Sequence, residues 1–128
     1  MFVLFRSARP SDRLGELRRF YVDGLGCALL SAWVDKEGYD GLVVGDPAGR
    51  WQAEFIREHA RPAVPVPSHE HLLVFYVADR ARLADKADAM DAAGWPRVQP
   101  ANPYWQRQGV TFADPDGYHV VIAVPPGK

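Results

Sequence analysis

The 128-residue sequence is poor in several features that mark particular classes of protein. It has one cysteine, Cys27, so no disulfide can form within the chain. Its 15 Lys and Arg against 16 Asp and Glu leave no basic excess of the kind that a nucleic-acid-binding face needs. No apolar run approaches the length that spans a bilayer, and the first ten residues lack a signal-peptide pattern. These absences predict a cytoplasmic protein that binds neither nucleic acid nor membrane.

Two common catalytic patterns are also missing from the chain. No Ser/His/Asp arrangement and no glycine-rich phosphate loop stands out. Cys27 has no basic neighbour in the sequence that would activate it, and it is interpreted as a packed thiol. The sequence therefore leaves open whether the protein is an enzyme.

What the chain does contain is typical of one globular domain over residues 1–128, with 48% hydrophobic and 24% charged residues. The first module covers residues 1–58. The apolar run Phe2–Phe5 predicts a short strand, which the segment from Ser7 to Pro10 ends, and a helix follows from Pro10-Ser11 to Gly24. Three further strands are predicted over Ala28–Val34, Leu42–Val44 and Trp51–Arg57.

A proline-rich linker, residues 59–68, separates this module from a second one, residues 69–128, with the same order of elements. A strand over Leu72–Val77 precedes a helix over Arg80–Ala93, for which Asp79 is the predicted N-cap. Val98 begins a short strand, Asn102-Pro103 makes a turn, and two strands follow over Gly109–Ala113 and Tyr118–Val124. The predicted fold is α+β with mixed sheets, built from two βαβββ modules.

Three segments in this order resemble the vicinal-oxygen-chelate superfamily, which contains glyoxalases, bleomycin-resistance proteins and extradiol dioxygenases. They are Phe20-Tyr21 with Leu25-Gly26, then Ala92-Ala93-Gly94, and then the hairpin from Gly109 to Gly117. The resemblance covers nearly the whole chain. It implies that the two modules pair into a curved mixed sheet whose concave cup binds small molecules, and that the protein forms a homodimer.

The resemblance also implies four metal-ligand positions, which fall on Arg6, Glu54, Leu72 and Val121, with His71 beside Leu72. One of these four residues can bind a metal. Arg6 is always protonated, and at ~4 Å it would oppose each unit of metal charge by roughly 4 kcal/mol at an effective dielectric of about 20. We therefore expect no cofactor, and an Arg6–Glu54 ion pair in place of the metal. A divalent metal stays open as the alternative, with Glu54 and His71 as ligands.

Strand alternation and position select the residues expected to line the cup. Alternation in the predicted strands places Arg6, Gln52, Glu54 and His119 on its surface. Tyr104 and Trp105 follow the predicted turn as loop aromatics that can stack on a flat ligand, and Tyr76 is a candidate by position. His69 and His71, two residues apart, point to one face and could chelate a metal, although entry into a strand from an exposed linker is the commoner explanation for such residues.

The function expected from these residues is the binding of a small organic molecule, with sequestration of a drug or metabolite as one form. A metal-dependent glyoxalase- or dioxygenase-like enzyme is the first alternative, and it would need Glu54, His71 and a further group to converge. A structural or regulatory homodimer without a ligand is the second.

Overall fold

The computed structural model describes residues 1–127. It divides into two compact units, the first covering Met1–Pro65 and the second beginning at Val66. None of the helices within the described residues is long and apolar enough to cross a membrane.

Unit one contains four strands and one helical segment in the order β-α-β-β-β. These are β1 (Phe5–Pro10), α1 (Leu14–Arg18), β2 (Ala28–Lys36), β3 (Tyr39–Gly45) and β4 (Trp51–Glu58). Helix α1 continues without interruption as a π-helical segment over Arg19–Gly24. The sheet order is β1-β4-β3-β2, with β1 parallel to β4 and the other pairs antiparallel.

The first strand lies later in the chain than the sequence predicts. Its register with β4 runs from Phe5 opposite Trp51 to Pro10 opposite Ile56, so the predicted strand at Phe2–Phe5 and the predicted break at Ser7–Pro10 are both wrong. Backbone pairing, rather than apolar content, sets the position of this strand. Pro10 is tolerated because β1 is an edge strand, where a missing N–H costs little.

The core of unit one lies between the helical segment and one face of the sheet. Leu17, Phe20 and Tyr21 are fully buried, and the Tyr21 ring lies 5.2 Å from that of Phe55. In the π-helical segment the Leu25 N–H donates to the Phe20 carbonyl at 2.9 Å, a bond one residue longer than in an α-helix. The alternation predicted for β4 is confirmed, because Ala53 and Phe55 are buried and Gln52 and Glu54 are half-buried on the opposite face.

Unit two repeats the order with a shorter sheet. Its elements are β5 (Leu72–Tyr76), α2 (Arg80–Ala92), α3 (Pro103–Gln108), β6 (Gly109–Ala113) and β7 (His119–Ala123). The sheet order is β5-β7-β6, with β5 parallel to β7. The short strand predicted at Val98 is reduced to one antiparallel bridge between Arg97 and Phe112. The predicted fold class, α+β with mixed sheets and two βαβββ-type modules, is confirmed.

The capping signals of unit two gave one correct and one wrong prediction. The Asp79 side chain accepts a hydrogen bond from the Arg82 N–H at 2.9 Å, which confirms it as the N-cap of α2. Asn102-Pro103 does not form a free turn. Asn102 caps α3 by accepting from the Tyr104 N–H at 2.9 Å, and Pro103 occupies the first helical turn. Asn and Pro favour both turns and helix starts, and the segment after Asn102, predicted as a loop, is the helix α3.

Candidate functional site

The parallel strands β1 and β4 bring three polar side chains together on the sheet face opposite Phe55. The Arg6 Nη1 lies 3.2 Å from Glu54 Oε2, and the Arg6 Nε donates to Gln52 Oε1 at 2.8 Å. Gln52 in turn donates through Nε2 to the Gly49 carbonyl at 2.9 Å. We call Arg6, Gln52 and Glu54 the Arg6 cluster. The ion pair predicted between Arg6 and Glu54 is present in the structure.

The two charges of the Arg6 cluster are unequally exposed. The Glu54 side chain is 18% exposed, whereas that of Arg6 is 42% exposed. The carboxylate is therefore mostly shielded from water and receives its charge-assisted hydrogen bond from the guanidinium. The Arg6 side chain is therefore the more accessible of the two charged groups, and its guanidinium carries only hydrogen-bond donors.

A shallow cleft adjoins the Arg6 cluster at the N-terminal end of unit one. Its volume is about 660 Å³, and its lining residues are Phe2, Val3, Leu4, Phe5, Arg6 and Arg50. Phe2 and Phe5 are 92% and 70% exposed. Arg50 lies 3.5 Å from Asp46, its partner in an ion pair. This surface was not predicted from the sequence, because Phe2–Phe5 was assigned to a strand. The feature that could have indicated it is the contiguous apolar run directly before Arg6.

Strands β5 and β7 of unit two pair in the same way as β1 and β4 but carry different residues. Arg6 is opposite Gln52 in unit one, and Leu72 is opposite His119 in unit two. Val121, two residues after His119, therefore corresponds to Glu54. Val121 is fully buried. The ion-paired positions of unit one are thus apolar in unit two.

His119 is buried and stacks on His69, with ring centroids 4.1 Å apart and an angle of 13° between the planes. Its Nδ1 is buried and has no hydrogen-bond partner among residues 1–127. Burial lowers the pKa of His119, the nearby charge of His69 lowers it further, and Asp114 opposes both effects. His119 is therefore held in the neutral form, and it is shielded from solvent although it follows directly after a turn.

The residues present do not fit a divalent metal of the kind that superfamily members often use. Of the family positions, Arg6 is a cation, Leu72 and Val121 carry no donor, and Glu54 is bonded to Arg6. His69 and His71 are both exposed ahead of β5, and the His69 ring stacks on that of His119. Within residues 1–127, no group of three or more His, Cys, Asp or Glu side chains is placed to hold a metal ion.

The three aromatic residues selected from the sequence all lie in unit two. Tyr76 ends β5 and is 53% exposed. Tyr104 and Trp105 are half-buried in α3, with ring centroids 5.0 Å apart in an edge-to-face contact. They are therefore held by a helix, and their part in ligand binding stays a prediction.

A second cavity lies within unit two, and the sequence interpretation did not select it. It has a volume of about 350 Å³ and is lined by Arg97, Val98, Gln99, Pro100, Gln106, Gly109, Val110 and Thr111. The sequence indicated this cavity only weakly, through one threonine, Thr111, in the otherwise apolar strand β6.

Comparison with known proteins shows the family to which the chain belongs. A family model described as the YycE-like N-terminal domain matches residues 5–56, and one described as the YycE-like C-terminal domain matches residues 70–123. The uncharacterized protein YycE of Bacillus subtilis strain 168 is 38% identical over 117 residues, which are 91% of this chain and 84% of that protein. A crystal structure of a B. subtilis YycE protein of unknown function has a TM-score of 0.90 at 36% identity, covering 98% of this chain and 92% of that one.

Two more distant structures share the fold. The trypanothione-dependent glyoxalase I of Leishmania major has a TM-score of 0.75 at 16% identity, over 97% of this chain and 86% of that one. TnmS3, an antibiotic-binding protein from Streptomyces sp. CB03234, has a TM-score of 0.67 at 19% identity, over 98% of this chain and 97% of that one. The fold is that of the glyoxalase and bleomycin-resistance proteins of the vicinal-oxygen-chelate superfamily. Within it, the chain belongs to the YycE-like family.

Proposed function

We propose that this chain binds a small, partly apolar organic molecule and does so without a catalytic divalent metal. The observation that carries the proposal is the Arg6 guanidinium at a family ligand position, bonded to both Glu54 and Gln52. A metal beside Arg6 would meet a permanent positive charge and would have to displace that charge from the carboxylate it needs.

The surroundings of the Arg6 cluster support an amphipathic ligand. Phe2, Val3, Leu4 and Phe5 line one side of the cleft and are suited to an apolar or aromatic body. The exposed part of the Arg6 guanidinium offers donors to a carbonyl, phenolate or carboxylate oxygen. A molecule that combines a hydrophobic ring with one oxygen acceptor matches this surface. Gln52 and Glu54 then act by holding Arg6 in place.

Sequestration of a drug or metabolite is the form of binding we propose. Support comes from the fold that this chain shares with TnmS3, which is an antibiotic-binding protein. Within unit two, taken by itself, we propose Tyr76, Tyr104, Trp105 and His119 as candidate ligand contacts.

A homodimer is the assembly we propose, in line with the family resemblance. Light scattering coupled to size-exclusion chromatography would report about twice the 14.3 kDa chain mass. A monomer at micromolar concentration would contradict the dimer and leave the proposed binding function unaffected.

The binding function is tested with a panel of aromatic antibiotics and hydrophobic metabolites in thermal-shift experiments, followed by calorimetric titration of each hit. Arg6→Met is the test variant. Arg18→Met, the same change at an exposed arginine of α1, is the matched control. We expect at least one compound to stabilise the wild type and Arg18→Met but to bind Arg6→Met at least tenfold more weakly. No binder in the panel, or equal affinity for Arg6→Met, would contradict the proposal.

A further inference from the structure

The cleft beside the Arg6 cluster is lined by two arginines and by no carboxylate. Its lining combines the apolar residues Phe2–Phe5 with Arg6 and Arg50, all within unit one. The carboxylates paired with these arginines, Glu54 and Asp46, do not belong to the lining. The arginine side chains are 42% and 79% exposed, whereas those of Glu54 and Asp46 are 18% and 19% exposed. The accessible charge of the cleft is therefore positive.

Strand pairing places Arg50 on the same sheet face as the Arg6 cluster. Gln52 and Glu54 lie on the β4 face opposite the core, and Arg50, two residues before Gln52, continues this alternation. The Phe5 N–H donates to the Arg50 carbonyl at 2.8 Å, so the pairing of β1 with β4 extends to this residue. Because Arg6 is opposite Gln52, Arg50 is its diagonal neighbour, at roughly 8 Å between Cα atoms for ordinary strand spacings. Two arginine side chains at that separation can reach one bound group.

Each of the two guanidinium groups has donors that the protein leaves unused. Arg6 bonds within its cluster through Nε and Nη1, and Arg50 contacts Asp46 Oδ2 through Nε at 3.5 Å. Among residues 1–127, no protein group pairs with Arg6 Nη2 or with the two terminal nitrogens of Arg50. Asp46 Oδ1 also accepts the backbone N–H groups of Arg50 and Trp51, at 2.6 and 3.3 Å. The Asp46 carboxylate therefore keeps partners when the Arg50 guanidinium turns toward a ligand.

We propose that this cleft selects a molecule with one carboxylate on an aromatic or alicyclic ring, and that Arg50 sets its preference for an anion. This preference rests on the binding function proposed above and defines the chemical class of the ligand. The planar guanidinium fork matches a carboxylate, and two arginines can hold both of its oxygens. The ring lies against the apolar residues Phe2–Phe5. Because each guanidinium is shared with one protein carboxylate, the pair balances a single negative charge better than the double charge of a phosphate monoester.

The test compares 2-naphthoate with 2-naphthamide, which have nearly the same shape and differ in charge, on the full chain labelled with nitrogen-15. We expect naphthoate to shift the backbone amide resonances of residues 2–6 and 50–52, and to bind about tenfold more tightly than naphthamide. Higher ionic strength should weaken naphthoate binding and leave naphthamide binding unchanged. Equal affinity for the two probes, or no binding of naphthoate at these residues, would overturn the anion preference.

Arg50→Met removes the second arginine, and Arg18→Met is the matched control at an exposed position of α1. Arg50→Met should bind naphthoate about tenfold more weakly and naphthamide as the wild type does, whereas Arg18→Met should match the wild type with both probes. Arg50→Met should also keep its melting temperature, because an exposed ion pair contributes little stability. Unchanged naphthoate affinity in Arg50→Met would overturn the role of Arg50.

Arg6→Met distinguishes failure of the anion preference from failure of the binding function. If both probes bind the wild type equally and both lose affinity in Arg6→Met, the anion preference is wrong and the binding function stands. If neither probe and no compound of the wider panel depends on Arg6, both are wrong.

Discussion

Removing Arg6 should destabilise the protein more than removing Glu54, although the two residues form one ion pair. In Arg6→Met, the Glu54 carboxylate stays only 18% exposed and loses its partner, which costs about 1–3 kcal/mol for a largely buried charged acceptor. In Glu54→Gln, the guanidinium is 42% exposed, keeps its bond to Gln52 and regains water, so the loss is about 0.5 kcal/mol. The expected difference is therefore about 1 kcal/mol in the free energy of unfolding.

The double variant Arg6→Met/Glu54→Gln isolates the interaction between the two residues. We expect it to be little less stable than Glu54→Gln alone, which corresponds to a coupling of about 1 kcal/mol. Guanidinium chloride unfolding, followed by circular dichroism, measures all four proteins. Since two compact units are present, the transition should first be shown to be the same for two probes. Additivity within about 0.3 kcal/mol, or a greater loss in Glu54→Gln than in Arg6→Met, would refute the reasoning.

Three further predictions concern the rest of the fold. Folding lowers the pKa of His119, so as pH falls the unfolded chain takes up the proton first, and the free energy of unfolding should decrease below about pH 6.5. His119→Gln should weaken this dependence of stability on pH. A pKa of His119 at or above 6.5 in the folded protein, measured by NMR, would contradict the prediction. Gly41→Ala would place a Cβ against the Trp33 ring with no room for it, so we expect a loss of about 1–3 kcal/mol in the free energy of unfolding, partly restored by Trp33→Ala. An unchanged melting temperature would contradict the close packing of Gly41 on Trp33. Met90→Ala should cost about 2–5 kcal/mol in denaturant unfolding because Met90 is fully buried, and a loss below 1 kcal/mol would show that α2 packs loosely.

The order of elements could be predicted from the sequence because local chemistry specifies most of it. The alternation of Ala53 and Phe55 with Gln52 and Glu54 marked β4. Asp79 caps the start of α2, and Gly94, which has a positive φ, follows its C-terminal end. These signals depend on neighbouring residues and do not require knowledge of distant contacts.

The remaining features depend on pairing between distant segments. The position of β1 is set by its register with β4, some 46 residues away, and the Arg6 cluster follows from that register. The Arg6–Glu54 contact was predicted because the family resemblance supplied this pairing. The stacking of His69 on His119 and the cavity at Thr111 join segments for which no such pattern was available. Asn102-Pro103 was wrongly assigned because turns and helix starts share the same residues.

The most direct test of the central claim is calorimetric titration of chelator-treated protein with nickel, zinc, manganese and iron(II), paired with thermal unfolding. We predict no binding at the Arg6 cluster, and therefore no metal-specific change in melting temperature that Glu54→Ala abolishes. A metal at about 100 times its dissociation constant would add about 2.7 kcal/mol of stability, which is readily measured. Such a gain with one metal, lost in Glu54→Ala, would contradict the claim and favour a glyoxalase-type metal enzyme.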